Sequence, residues 1–253
     1  MPRYGHKHRS RMPPHPTVAD VIRGYSAEKA REEWYGEWGA AFCYRPLAIR
    51  ITPAFVRFSI PATAVTLTSL LLALSLVPIV LSGWPAAPAA VSVIAIVAEI
   101  LDCVDGGIAR VTGTVSWAGQ YLDSLTDVVL RVSMYVALGL IADAILAAPS
   151  FLAGHALPLA MGAAFFSIVA RLCRMQIENS TRTAVAAPPK KWRPSDYLFS
   201  FLSGLDPIMP ILMLITYYAG LLGWFVLWLI AYTAADFLYT QVSILKLLSK
   251  RTP

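Results

Sequence analysis

The chain has 253 residues, 57% hydrophobic and 14% charged, with a mean hydropathy of +0.59, a balance that excludes an ordinary soluble domain. Six membrane-crossing helices of about 20 residues each would use roughly 120 positions, which also excludes a large extramembrane domain. The net charge of +6 is what Lys- and Arg-rich cytoplasmic loops give an inner-membrane protein, so it implies no nucleic-acid partner.

The amino-terminal arm, residues 1–38, is polar and basic, and the charge spacing in SAEKAREEWYGEW predicts a short surface helix. No apolar signal-type stretch follows its Arg-rich start before residue 39, so the arm is expected to belong to the mature protein. Residues 39–60 carry Arg45, Arg50 and Arg57 among aromatics and aliphatics, which predicts an amphipathic helix in the headgroup plane, broken near Pro46 or Pro53. Trp34, Tyr35, Trp38, Phe42 and Tyr44 are expected in an interfacial aromatic belt rather than a base-stacking platform.

Six apolar stretches follow, at 62–82, 86–108, 120–142, 151–173, 199–220 and 222–245. All 21 Lys and Arg lie before residue 58, within 110–131, within 171–193, or from Lys246 onward. The loops between carry none, so both termini are expected in the cytoplasm. The predicted fold is thus an all-α membrane protein with six transmembrane helices and a juxtamembrane amphipathic helix. It comprises a cytoplasmic basic arm (1–38), an interfacial helix (39–60) and a six-helix transmembrane domain (61–253). Cys43, Cys103 and Cys173 form no C-x-x-C pair and no even set, so neither a disulfide framework nor a zinc site follows.

An acidic residue inside a span costs on the order of 3 kcal/mol and marks function by default. The second and third spans place Glu99, Asp102, Asp105, Asp123 and Asp127 on either side of one short turn. Asp102 and Asp105 stand three apart and Asp123 and Asp127 four apart, so each pair shares a helix face. Four carboxylates at one membrane depth repel unless cations compensate them. Oxygen-only ligation selects Mg²⁺ or Mn²⁺, and four carboxylates can hold two ions about 4 Å apart, the spacing of two-metal phosphoryl chemistry. Gly106, Gly107 and Ala109 leave the helix surface bare where a nucleotide or diphosphate can approach, with Arg110 to meet phosphate. Two other readings stand beside this one: small residues that merely let helices pack, and an ion-coupled transporter relaying cations through the acids. A nucleotide-sized bare patch joined to an arginine serves no purpose in ion transport.

The series Asp102, Asp105, Gly106, Ala109, Arg110, Gly119, Asp123 and Asp127 reads D-x-x-D-G-x-x-A-R, eight residues, G-x-x-x-D-x-x-x-D. It resembles the hallmark of the CDP-alcohol phosphotransferase (CDP-alcohol phosphatidyltransferase) family. The resemblance implies six transmembrane helices, a juxtamembrane helix, a cytoplasm-facing site and a homodimer. It implies transfer of a substituted phosphate from a CDP-linked donor to an acceptor hydroxyl with release of CMP. Asp102, Asp105 and Asp123 would hold two metal ions with Asp127 completing the second, and Asp127 would be the general base. Asp105, Gly106, Ala109, Arg110 and Gly119 would meet the nucleotide, with Thr66 from the first span. The family's first helix often opens Pro-Asn-x-x-Thr, whereas this chain has Pro61-Ala-Thr63-Ala-Val-Thr66, without the Asn.

An intramembrane site is most useful when one substrate is a lipid, so the expected donor is CDP-diacylglycerol and the expected role phospholipid biosynthesis. A water-soluble donor of the CDP-inositol, CDP-choline or CDP-ethanolamine type is the alternative. Arg171 and Arg174, ahead of Arg182, Lys190, Lys191 and Arg193, are candidate ligands for a phosphorylated acceptor, unless they only satisfy the positive-inside bias. Asp206 and Asp236 are further buried-acid candidates to which the sequence assigns no role, an arginine pair being open to either.

Overall fold

The computed structural model describes residues 16–25, 38–145, 152–182 and 204–249. The surface helix expected in SAEKAREEWYGEW, the belt residues Trp34 and Tyr35, the basic residues Lys190, Lys191 and Arg193, and residues 199–203 of the fifth predicted span lie outside the described residues.

All regular structure among the described residues is helical. Three helices precede the predicted spans: α1 (Val18–Gly24), α2 (Trp38–Cys43) and α3 (Arg45–Arg57). Helix α1, which the charge pattern did not reveal, starts in a capping box. The Thr17 hydroxyl and backbone amide both donate to Asp20 Oδ2 at 2.7 Å, and the Asp20 amide returns to Thr17 Oγ1. The Thr17 hydroxyl and amide hold the Asp20 carboxyl below its ordinary range, so the box is lost only as pH falls through that lowered value.

The interfacial stretch breaks at Tyr44, directly before α3, and Pro46 sits in the first turn of α3, where its missing N–H is no loss. Pro53 does not break α3. Ala48, Thr52 and Val56, four residues apart, form its buried stripe. Tyr44 departs from the belt expectation: it is 2% exposed and donates its hydroxyl to the Pro207 carbonyl at 2.9 Å. Burial pushes its phenol well above the usual range, which keeps it a protonated donor. Phe42, 70% exposed, does face outward.

Helices α4 (Ala62–Leu81), α5 (Ala87–Thr112), α6 (Trp117–Ile145), α7 (Ala156–Arg182) and α9 (Leu222–Ser249) are each long and apolar enough, over all or most of their length, to cross a membrane. They make this a multi-pass membrane protein of all-helical fold. The fifth predicted span instead shows, among the described residues, a 3-10 turn at Asp206–Ile208 followed by α8 (Met209–Tyr218). Ten helical residues rise about 15 Å, half the hydrocarbon thickness.

Helix α4 packs on α5 and α6, α7 packs on α6 and α9, and α3 and α8 pack on α5, with α1 resting on α3 and α5. Small residues allow this closeness: Ala73, Ala95, Ala98, Ala137 and Ala163 are all fully buried in the main core. Gly139 of α6 faces α7 so closely that a Cβ there would sit 2.6 Å from the Leu157 Cα.

At that end of the bundle Asp143 accepts from the Ala156 and Leu157 amides at 2.9 and 3.0 Å. The last turn of α6 thereby caps the first turn of α7, placing a carboxylate at the positive end of that helix dipole. Asp143→Ala is expected to destabilise the protein by about 1–2 kcal/mol, read as a lowered unfolding midpoint in detergent, with Asp143→Asn intermediate because its amide oxygen can still accept.

Candidate active site

The turn between α5 and α6 is set by two local signals. Helix α5 stops where Gly113 adopts φ +67, a left-handed conformation open to glycine without strain. The Thr114 amide then reaches back to the Ala109 carbonyl at 2.9 Å and the Gly113 amide to Arg110 at 3.3 Å, closing the helix end. Three residues later Ser116 starts α6, its Oγ accepting from the Gly119 amide at 3.1 Å. A helix stopped so sharply and restarted so soon returns antiparallel beside itself, which brings the acids of both helices to one place.

Asp102, Asp105 and Asp123 converge there, with one oxygen from each within 4.8 Å of the others. Asp105 is buried, Asp102 half-buried and Asp123 exposed, so the group opens toward one side. Thr66 of α4 anchors it, with Oγ1 2.6 Å from Asp105 Oδ2. One turn deeper Ser69 Oγ donates to the Ala98 carbonyl at 3.0 Å, fixing α4 against α5. Three anionic oxygens so close are a donor set suited to a hard divalent cation, and the residues fit a metal ion.

Asp127 stands apart from this trio in its contacts. It forms an ion pair with Arg171 of α7. Arg174 bonds Asp236 of α9 at 2.9 and 3.0 Å and Thr240 at 2.8 Å. Arg131 of α6 pairs with Asp206 in the 3-10 turn. Both candidate acceptor arginines therefore face carboxylates, and Asp206 and Asp236, to which the sequence assigned no role, each pair with an arginine.

The predicted nucleotide residues divide. The Arg110 guanidinium lies over Gly106, where a Cβ would come within 3.1 Å of Nη1, so this glycine does leave room for a group above it. Gly107 does not: a Cβ there would meet Thr52 Oγ1 of α3 at 3.0 Å, which makes it a packing glycine rather than part of a bare surface. Ala109 is half-buried near the end of α5, and the Gly119 amide is engaged by Ser116. Thr66 touches an aspartate carboxylate, a contact with a different consequence from nucleotide binding: it orients Asp105.

Two contacts here were not foreseen. Tyr25, just after α1, lies against both Arg45 and Arg110, whose guanidinium carbons stand 5.2 and 5.7 Å from its ring centre. Arg45 also donates to the Cys103 carbonyl at 3.1 Å. The Thr17-x-x-Asp20 box was the legible signal for α1; nothing local marked Tyr25 as the ring that two distant arginines share.

The family model of CDP-alcohol phosphatidyltransferases matches residues 59–239, from the threshold of α4 deep into α9. The chain belongs to that family. No curated protein matches the chain at a significant level. Members of the CDP-alcohol phosphatidyltransferase family transfer phosphate-containing groups, so the chain is a transferase acting on a CDP-alcohol donor and an alcohol acceptor. The matched region holds all eight motif positions; Tyr25 after α1 and Arg45 and Thr52 of α3, which flank it, precede it.

Proposed function

We propose that this chain moves a phosphatidyl group from CDP-diacylglycerol to the hydroxyl of a small alcohol with release of CMP, as a step of phospholipid biosynthesis at the cytoplasmic face of the cell's inner membrane. The observation that carries the reading is the convergence of Asp102, Asp105 and Asp123 across the α5–α6 turn. The lipid donor is supported by the outer face of α4, where Leu67, Leu71 and Leu74 are exposed on the side away from Thr66 and Ser69.

In this reading Asp102, Asp105 and Asp123 hold Mg²⁺ or Mn²⁺, and Asp127 completes a second ion. Bound there, the metal neutralises the diphosphate and the charge that develops on the leaving CMP. Thr66 keeps Asp105 turned toward the group. Arg110, its guanidinium resting over Gly106, contacts the diphosphate, with Ala109 and Gly119 lining the nucleotide's approach. The acceptor hydroxyl attacks the phosphorus that carries the lipid; a new P–O bond forms, the anhydride P–O bond breaks, CMP leaves and the acceptor's proton passes to Asp127. Arg171, paired with Asp127, holds that carboxylate in place beside the reacting groups.

The 199–220 stretch makes the sixth crossing, with both termini on the side of the α5–α6 turn, a view supported by the absence of Lys and Arg from the loops expected on the opposite side. Residues 39–60 lie along the headgroups and residues 1–38 form the cytoplasmic arm, with the exposed Leu47, Arg50, Arg57 and Phe58 toward lipid. The enzyme acts as a homodimer, as its family suggests.

The test is product formation by the purified protein in liposomes with labelled CDP-diacylglycerol and a panel of alcohols. CMP release and a new phospholipid are expected with Mg²⁺ or Mn²⁺ and are expected to vanish with EDTA. Undiminished turnover in EDTA, or no CMP with any alcohol and either metal, would overturn the proposal.

A further inference from the structure

In the proposed reaction Arg110 meets the donor's diphosphate at the end of a long side chain. An arginine already held in its bound orientation binds more tightly than one that must first be ordered. The contacts that hold Arg110 on one flank come from the amino-terminal arm.

Helix α1 rests on α3 and α5, with Val21 5% exposed. A Cβ on Gly24 would meet Val111 Cγ2 at 3.6 Å and Arg110 Cβ at 3.8 Å, so the end of α1 lies on the last turn of α5, at the base of the Arg110 side chain. The next residue, Tyr25, brings its half-buried ring to the far end of the same side chain, 5.7 Å from the guanidinium carbon. That ring is steadied in turn. Arg45 lies over it at 5.2 Å, and Arg45 is tied to α5 through the Cys103 carbonyl at 3.1 Å.

The kind of contact decides what the arginine can do. A carboxylate binds the N–H edge of a guanidinium, as Asp127, Asp206 and Asp236 face Arg171, Arg131 and Arg174. An aromatic ring attracts the cation through its π face and takes no N–H as a hydrogen-bond donor to oxygen. A ring can therefore hold an arginine in place and still leave its edge to a phosphate.

We infer that Tyr25 is a positioning residue for the donor, its ring holding the Arg110 guanidinium in the orientation that meets the diphosphate, an inference that rests on the transferase reading above. It extends the donor site to a residue that precedes the region matched to the family model.

The experiment uses the whole chain in liposomes, with the acceptor alcohol that the wild-type protein turns over best. Tyr25→Leu is expected to raise the KM for CDP-diacylglycerol about fivefold, with kcat and the KM for the acceptor within about twofold of wild type. Tyr25→Phe, which keeps the ring, is expected to stay within about twofold in all three. Tyr25→Gln repeats the test should the leucine variant fold poorly. Equilibrium dialysis with labelled CDP and Mg²⁺ reads the same contact without turnover: Tyr25→Leu is expected to weaken CDP about fivefold in the wild-type background and not at all beside Arg110→Met. Equal rises in both KM values, a fall in kcat alone, no change, or a phenylalanine variant as impaired as the leucine one overturns the inference and leaves the transferase reading standing. Further weakening of CDP by Tyr25→Leu beside Arg110→Met overturns it as well, since the ring then acts elsewhere. No CMP from the wild-type protein with any alcohol overturns the transferase reading, and the dialysis still decides whether Tyr25 acts through Arg110.

Discussion

Asp123→Asn is expected to slow CMP release about a thousandfold while leaving the unfolding midpoint in detergent unchanged. The substitution removes one of three carboxylates whose oxygens lie within 4.8 Å of one another, and a metal site of this kind supplies several kcal/mol of charge stabilisation, at about 1.4 kcal/mol per decade of rate. Asp123 is the right member of the trio to change because it is exposed, so an amide in its place strands no buried group. Asp105 is less suitable: it is buried and bonded to Thr66, and its loss would mix an effect on folding with an effect on chemistry. Titration with Mn²⁺, followed by electron paramagnetic resonance, gives a second readout, with weaker binding expected in the variant. Wild-type turnover and wild-type Mn²⁺ affinity in Asp123→Asn would separate the carboxylate group from catalysis.

The ion pair between α7 and α9 carries the second large effect. Asp236 is 11% exposed and Arg174 36% exposed at their side chains, so removing the arginine takes from a mostly buried carboxylate the guanidinium that bonds it at 2.9 and 3.0 Å. Breaking a fully buried pair costs 3–5 kcal/mol; the partial exposure of Arg174 lowers the expected cost of Arg174→Met to about 2–3 kcal/mol. The double variant Arg174→Met with Asp236→Leu is expected to recover most of that loss, because two apolar side chains of similar size need no partner. A double-mutant cycle on the unfolding midpoint in detergent measures the coupling. Additive effects of the two substitutions would show that the pair holds α7 and α9 together by packing alone.

Comparison of individual residues shows where sequence reading has its reach. The α5–α6 turn was legible because all its causes are local: a helical spacing for the aspartates, a glycine able to take positive φ at 113, and a serine able to cap at 116. The spans at α4, α5, α6, α7 and α9 were legible because hydrocarbon requires long apolar helices whatever their partners. Gly106 and Gly107 show the limit. They are the same residue in adjacent positions, yet one lies under the Arg110 guanidinium and the other against Thr52. Adjacent helical residues point about 100° apart, and which direction meets α3 depends on how α3 docks. Tyr44 makes the same point: its neighbours match an interfacial belt, but the carbonyl of Pro207, 163 positions away, takes it inside.

The acids divide along that line too. Two helices joined by a short turn led the sequence to expect all four of Asp102, Asp105, Asp123 and Asp127 at one place; the first three do meet, and Asp127 turns to Arg171. By itself the sequence determined that the chain resides in a membrane, because burying so much apolar surface in water would need a core that 253 residues of this pattern cannot enclose. Only the tertiary structure decided the partners of the remaining charges: Asp127 with Arg171, Asp206 with Arg131, Asp236 with Arg174, and Asp143 with the first turn of α7. An ion pair or a cap across two helices acts over a few ångströms in space and leaves no trace in spacing along the chain. Which helix faces bring those charges together is fixed by close packing at alanines and at Gly139, a property of surfaces in contact that no single segment carries.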